Sequence, residues 1–194
     1  PPPAPPPRPG RRRAMTLQLT DEYGLVIAAA GAVGFVQMFV GAGVMKLRGQ
    51  YFKANKDFHA KKEVQDMKEK HKKAFGCEMN DMGYPDMGSG LYTQQLEYSQ
   101  WVELNNSQRA HYNMVESSGP VLATMLAAGL QFPKVCGALG FVYAIGRFLY
   151  AQGYNSKKGA DGRAAGAGMA ALAMLGLFGT ALVAGMMTFV KAKV

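Results

Sequence analysis

The chain has 194 residues and a net charge of +9, and its mean hydropathy lies close to zero. That average hides two populations, four apolar runs and the charged stretches between them, which excludes a soluble bundle with a polar face on every helix. Two scattered cysteines, Cys77 and Cys136, give neither a disulfide framework nor a metal spacing. His59, His71 and His111 have no cysteine or carboxylate partners at ligand spacing, so no protein-held metal is expected. No phosphate-cradling glycine loop appears, and no nucleic-acid partner is expected.

Pro1–Ala14, PPPAPPPRPGRRRA, reads as an extended polyproline tail ending in an arginine cluster. It is expected to be the spacer of a targeting segment, or else a tail held by a larger assembly. Thr20 is expected to cap the first helix, with Asp21 and Glu22 in its first turn. That helix runs from Tyr23 to about Met45. Leu25–Met45 is uncharged over roughly 20 residues, the length a bilayer core requires. Its glycines (24, 31, 34, 41 and 43) favour a packed interface over a purely lipid-facing surface.

A long polar segment, Gly49–Gln100, follows. Its first part, Asn55–Phe75, alternates Lys with Glu and Asp and predicts an exposed helix laced by i,i+4 pairs. Its second part, GCEMNDMGYPDMGSGLY, is rich in turn residues. About 50 residues exceed what a connector needs, so the segment is a docking surface or a lid.

The second membrane helix is expected from near Leu104. It carries Arg109, Asn113 and Glu116 at i, i+4 and i+7, one polar stripe at the mouth of an apolar helix. Such a stripe is either a self-satisfied cap, Arg109 and Glu116 neutralising each other through Asn113, or a ligand site. Pro133 forces a tight hairpin into a third helix, Pro133 to Gly153. There Tyr143, Arg147, Tyr150 and Tyr154 form a second stripe, of interfacial anchors or of ligand contacts. After the basic loop Asn155–Arg163, a fourth helix fills Ala164–Val190. The fold class expected is all-α: an integral membrane four-helix bundle, a single domain over residues 15–194 with a polar loop at about 49–100, behind the tail at 1–14. Both stripes open to the side of the 1–2 and 3–4 loops, whose Lys and Arg residues place it facing the cytosol or an equivalent compartment.

Arg109, Arg147, Arg163, Asn113, Glu116, Tyr150 and Tyr154 would converge near one membrane surface. Arginines hold carboxylates bidentately and a carboxylate holds an amine, so the set suits a small zwitterion with several carboxylates beside an apolar second reactant. A cation beside a thiol would favour the nucleophilic thiolate.

RAHYNMVE resembles the RAxxNxxE signature of the membrane-associated eicosanoid and glutathione metabolism family. IGRFLYAQGY and the Glu22-Tyr23-Gly24 start after Met15 match as well. The likeness is strongest to the microsomal glutathione S-transferase 3 branch and makes Met15 the expected natural start. The resemblance implies a homotrimer with glutathione, the co-substrate, bound between neighbours. It implies glutathione contacts at Arg109, Asn113, Glu116, Arg147, Tyr150 and Tyr154. His111 would reach the neighbour's ligand, and Arg48 would supply the basic residue that ends the first helix. Arg163 would activate the thiol, with Tyr150 as the other catalytic candidate. Two departures stand out: Gly49 follows Arg48 where the family often has a second basic residue, and Ser117-Ser118-Gly119 follows the signature glutamate where an aromatic is common. These thin the apolar wall.

Two functions follow. One is a membrane-bound glutathione transferase or glutathione-dependent peroxidase acting on lipophilic electrophiles or lipid hydroperoxides. The other is a non-catalytic accessory subunit of a larger photosynthetic or respiratory complex. The expected membrane is accordingly the endoplasmic reticulum, a chloroplast thylakoid or a mitochondrial membrane.

Overall fold

A computed structural model describes residues 19–191. The tail expected at 1–14, with its arginine cluster, lies outside the described residues. The described chain is all helix and loop: α1 (Tyr23–Arg48), short α2 (Lys56–Ala60), α3 (Lys62–Phe75), α4 (Tyr98–Gly129), α5 (Pro133–Tyr154) and α6 (Ala164–Lys191). The long helices α1, α4, α5 and α6 make the bundle. α4 and α5 each pack against both α1 and α6, and against each other. Their shared core includes Val26, Val33, Met114, Val121, Met125, Cys136 and Leu177, all nearly inaccessible. On the outside, Phe35, Met38 and Phe39 of α1 and Leu172, Leu182 and Phe189 of α6 stay exposed, as lipid-facing side chains should.

Among the described residues, three helices are long and apolar enough to cross a membrane: α1 with its continuation to Lys53, α5, and α6 with the turn before it. α4 is long enough, at 32 residues, but Glu103, Arg109 and Glu116 lower its hydropathy. It is held by packing rather than by its own affinity for lipid.

Several boundaries move. Thr20 does not cap α1 with its side chain; its carbonyl accepts from the Tyr23 amide and Glu22 stands at the N-cap. α1 runs past Met45 to Arg48 and continues as a π-helical turn, Gly49–Lys53. α4 starts at Tyr98 rather than near Leu104, because Trp101 and Leu104 pack on a second core outside the bundle.

That second core is the finding of the polar segment. Residues 49–97 fold into a cap around Phe52, Phe58, Val64, Tyr92 and Leu104. Asn55 caps α2 by accepting from the Phe58 amide at 3.0 Å, and Gly76, at φ +70°, ends α3 in a left-handed turn that a side chain would strain. Lys61 donates to the Gln95 carbonyl at 2.8 Å and pairs with Glu97 at 2.9 Å, tying the start of α3 to the start of α4. The i,i+4 pairs expected along α3 do not form among the described residues. Lys72 reaches out of the helix to Glu78 instead, at 2.5 Å; isolated surface pairs gain too little to fix long side chains.

α5 and α6 approach backbone to backbone. A Cβ on Gly166 would sit 2.2 Å from the Tyr150 amide nitrogen, and one on Gly146 2.7 Å from the Ala170 nitrogen. No rotamer can relieve a clash with backbone. Gly166→Ala is therefore expected to separate the two helices and cost about 2–3 kcal/mol. The check is thermal unfolding in detergent beside Gly168→Ala, which meets nothing within 4 Å and should be neutral.

Candidate functional site

Arg147 is the centre of the site. It lies on α5, one turn after Tyr143 and one before Tyr150, and is only 5% exposed. Its Nη1 donates to Asn113 Oδ1 of α4 at 2.7 Å. Its Nε and Nη2 are buried and have no protein partner. These two nitrogens form one edge of the planar guanidinium, the edge that receives a carboxylate through two parallel bonds. The Tyr150 ring lies 4.5 Å from the guanidinium carbon and holds its plane. A buried cation with an open edge is costly unless an anion completes it.

A cavity of about 370 Å³ opens at this place, near the lower end of the range for small-molecule sites. Asn113 and Ser117 of α4 line it, with Tyr143, Arg147 and Tyr150 of α5. Arg163, just before α6, stands on its wall, and Ala167, Ala170, Ala171 and Met174 complete it. Arg163 also meets Tyr154, donating to its hydroxyl at 3.4 Å, with its guanidinium carbon 5.3 Å from the ring. The three helices order these groups by depth: Arg163 and Tyr150 near the loops, Arg147 and Asn113 below them, then Ser117, Tyr143 and Met174 deeper among the alanines. Tyr143 to Tyr154 spans eleven residues, about 16 Å of helix rise.

Of the residues expected from sequence, Asn113, Arg147, Tyr150 and Arg163 share this cavity, and Tyr154 borders it through Arg163. Arg109 and Glu116 do not. Both are exposed, and they form no ion pair among the described residues, so the self-neutralised cap does not form. At about 100° per residue, positions 109 and 116 point within about 20° of each other, while 113 is turned 40–60° aside, toward α5. The stripe thus straddles the edge of α4. His111 lies against α1, where a Cβ on Gly41 would meet its Nε2 at 3.0 Å.

Arg48 is also elsewhere. It is 1% exposed, donates to the Met82 carbonyl at 2.8 Å and to the Asp86 carbonyl, and lies 4.3 Å from the Tyr84 ring. The cap has taken this cation. Arg48→Met is therefore expected to speed amide exchange at residues 82–86 and to leave the affinity of the cavity for anions within about twofold; mass-spectrometric exchange and titration read the two separately.

Ser117 and Tyr143 complete the site. Tyr143 was legible as part of a stripe, and Ser117 only as one turn beyond Asn113. Their hydroxyl oxygens lie 2.7 Å apart. Ser117, just after Glu116 on α4, meets the phenol of Tyr143 from α5.

The MAPEG family pattern matches residues 26–183, from the first turn of α1 to the last third of α6. The chain belongs to the MAPEG family. MAPEG proteins are four-helix membrane bundles, typically glutathione-dependent enzymes, and this chain is an all-helical integral membrane protein. The span matched to MAPEG includes the cap between α1 and α4.

Proposed function

We propose that this MAPEG protein is a glutathione transferase and glutathione-dependent peroxidase of the microsomal glutathione S-transferase 3 type, acting on lipophilic electrophiles or lipid hydroperoxides. The observation that carries the reading is the open Nε–Nη2 edge of buried Arg147 inside a cavity that also holds Arg163 and Tyr150. Glutathione fits this donor set. One of its carboxylates takes the Arg147 edge, and Asn113 fixes the other side of the guanidinium. Arg163, beside the Tyr150 and Tyr154 rings, stabilises the thiolate. A free thiol near pKa 8.5 is only a few per cent ionised at pH 7, and each unit of depression is worth about 1.4 kcal/mol. The alanines and Met174 hold the apolar part of the acceptor and exclude water.

Exposed Arg109 and Glu116 support a shared site in a homotrimer, where the outer edge of α4 meets a neighbouring copy's glutathione. Purified protein in detergent, given glutathione with a lipid hydroperoxide or a chloro-nitrobenzene, should turn over both. Absence of turnover together with absence of saturable glutathione binding overturns the reading.

The second reading, an accessory subunit of a photosynthetic or respiratory complex, is favoured by the cap. α3 and residues 85–92 frame an apolar groove of about 660 Å³, with Phe75, Met87 and Leu91 largely exposed and Lys70 on its wall. This groove suits an apolar helix with an acidic flank from another subunit. Sizing in mild detergent separates the readings: three copies alone remove it, and co-migration with a megadalton assembly in fixed ratio supports it.

A further inference from the structure

The deep end of the cavity holds two hydroxyls that the glutathione reading does not use. Tyr143 is 1% exposed and hydrogen-bonds Ser117 across the α4–α5 interface at 2.7 Å. The Ser117 hydroxyl is also within reach of the Asn113 carbonyl, at 2.9 Å, and of the Met114 carbonyl, at 3.2 Å. Two protons therefore serve this chain of contacts. With the cavity free of acceptor, Tyr143 donates to Ser117 and Ser117 donates back to its own helix. The Asn113 carbonyl is an optional acceptor, because as a helix-interior group it already receives the amide four residues on. Ser117 can thus turn its proton to Tyr143, and the phenol proton is released toward the cavity.

We propose that Tyr143, backed by Ser117, is the proton donor to the oxygen of a hydroperoxide acceptor, and so a catalytic residue specific to peroxide reduction at this site. The proposal rests on the glutathione reading above and deepens it. The glutathione thiolate, held near Arg163, attacks the terminal oxygen of the hydroperoxide. The S–O bond forms, the O–O bond breaks, and its electron pair leaves on the inner oxygen. Tyr143 protonates that alkoxide, giving the alcohol, and the glutathione sulfenic acid takes a second glutathione to yield the disulfide and water. Sulfur is oxidised by two electrons in all and the peroxide is reduced by two. The proton that the first glutathione thiol lost on ionising returns through solvent and Ser117 to the phenolate, so two thiols and one hydroperoxide give disulfide, alcohol and water. The location agrees with the chemistry: the alcohol-forming oxygen meets Tyr143 while the alkyl chain continues along Ala170, Ala171 and Met174.

Conjugation to a chloro-nitrobenzene expels chloride, which needs no proton. Tyr143→Phe keeps the ring that fills the α4–α5 contact and removes only the hydroxyl. It should lower kcat/KM for a lipid hydroperoxide about 100-fold, within the range for one proton donor, and leave chloro-nitrobenzene conjugation and the KM for glutathione unchanged. Ser117→Ala should give a smaller loss, about 5–10-fold, in the same direction. Retained conjugation serves as the control for folding. If both activities fall together in Tyr143→Phe, or if peroxide reduction is unaffected, the proposal is overturned while the glutathione reading stands. If the wild-type protein turns over neither acceptor, the proposal falls, and if it also binds no glutathione saturably, the glutathione reading falls with it.

Discussion

Replacing Arg147 by methionine is expected to weaken glutathione binding by about 100-fold or more and to leave the protein at least as heat-stable as before. The two halves have one cause. Arg147 spends a buried charge on a single bond to Asn113 and keeps two nitrogens open. Hydrogen bonds between charged groups contribute about 1.5–3 kcal/mol each, so losing a two-point carboxylate contact is worth at least the 2.7 kcal/mol of a 100-fold change. In the protein without glutathione those nitrogens only cost desolvation, and apolar replacement of buried charge is often neutral or stabilising. Methionine has nearly the length of the arginine stem and fills the same slot. Asn113 loses its donor but is only half-buried. Titration calorimetry and thermal unfolding in detergent check the two halves. Unchanged affinity with a fall in Tm would show that Arg147 supports the bundle rather than a ligand.

The second large effect lies outside the membrane. Asp86 accepts from the amides of Gly88, Gly90, Tyr92 and Thr93 at 2.8–3.0 Å and from the Thr93 hydroxyl. Its own carbonyl receives Arg48. One carboxylate thus organises the last third of the cap. Asp86→Ala is expected to cost about 2–4 kcal/mol of local stability, since five donors lose a charged acceptor at once. Amide exchange at Gly88, Gly90, Tyr92 and Thr93 should rise steeply while α5 and α6 stay protected; protection unchanged at those four amides would remove the idea.

Burial alone would raise the Asp86 carboxyl pKa. The amides of Thr93, Gly88 and Gly90 and the Thr93 hydroxyl outweigh it and hold the carboxyl below its usual range. A depressed carboxyl stabilises the cap above its unfolded pKa, near 3.9, and the stabilisation is lost as pH falls through the lower folded value. The cap should therefore loosen only below about pH 4, and pH-dependent exchange at the same amides reads it.

The bundle was legible because lipid asks for little else: long uncharged runs, small residues for close contact, and a proline at the hairpin. The stripes were legible because helical spacing alone puts Tyr143, Arg147 and Tyr150 on one face. Spacing could not say which stripe members face inward, because a stripe some 60° wide can straddle the edge of a helix. Asn113 therefore meets Arg147 while Arg109 and Glu116 remain outside. Nor could local pattern foresee that Phe52, Phe58, Val64 and Tyr92, scattered through a polar segment, would close on Leu104 as a second core.

By itself the sequence determined the four long helices, that they lie in a membrane, and the polar types at one end of them, since periodicity and solvent preference are local properties of the chain. The tertiary structure alone decided the partners: Arg48 went to the carbonyls of the cap, Tyr143 met Ser117 across the α4–α5 interface, and Arg147 kept one edge open. Each choice depends on which groups from distant parts of the chain can reach the same buried donor, and that is fixed only when the helices pack.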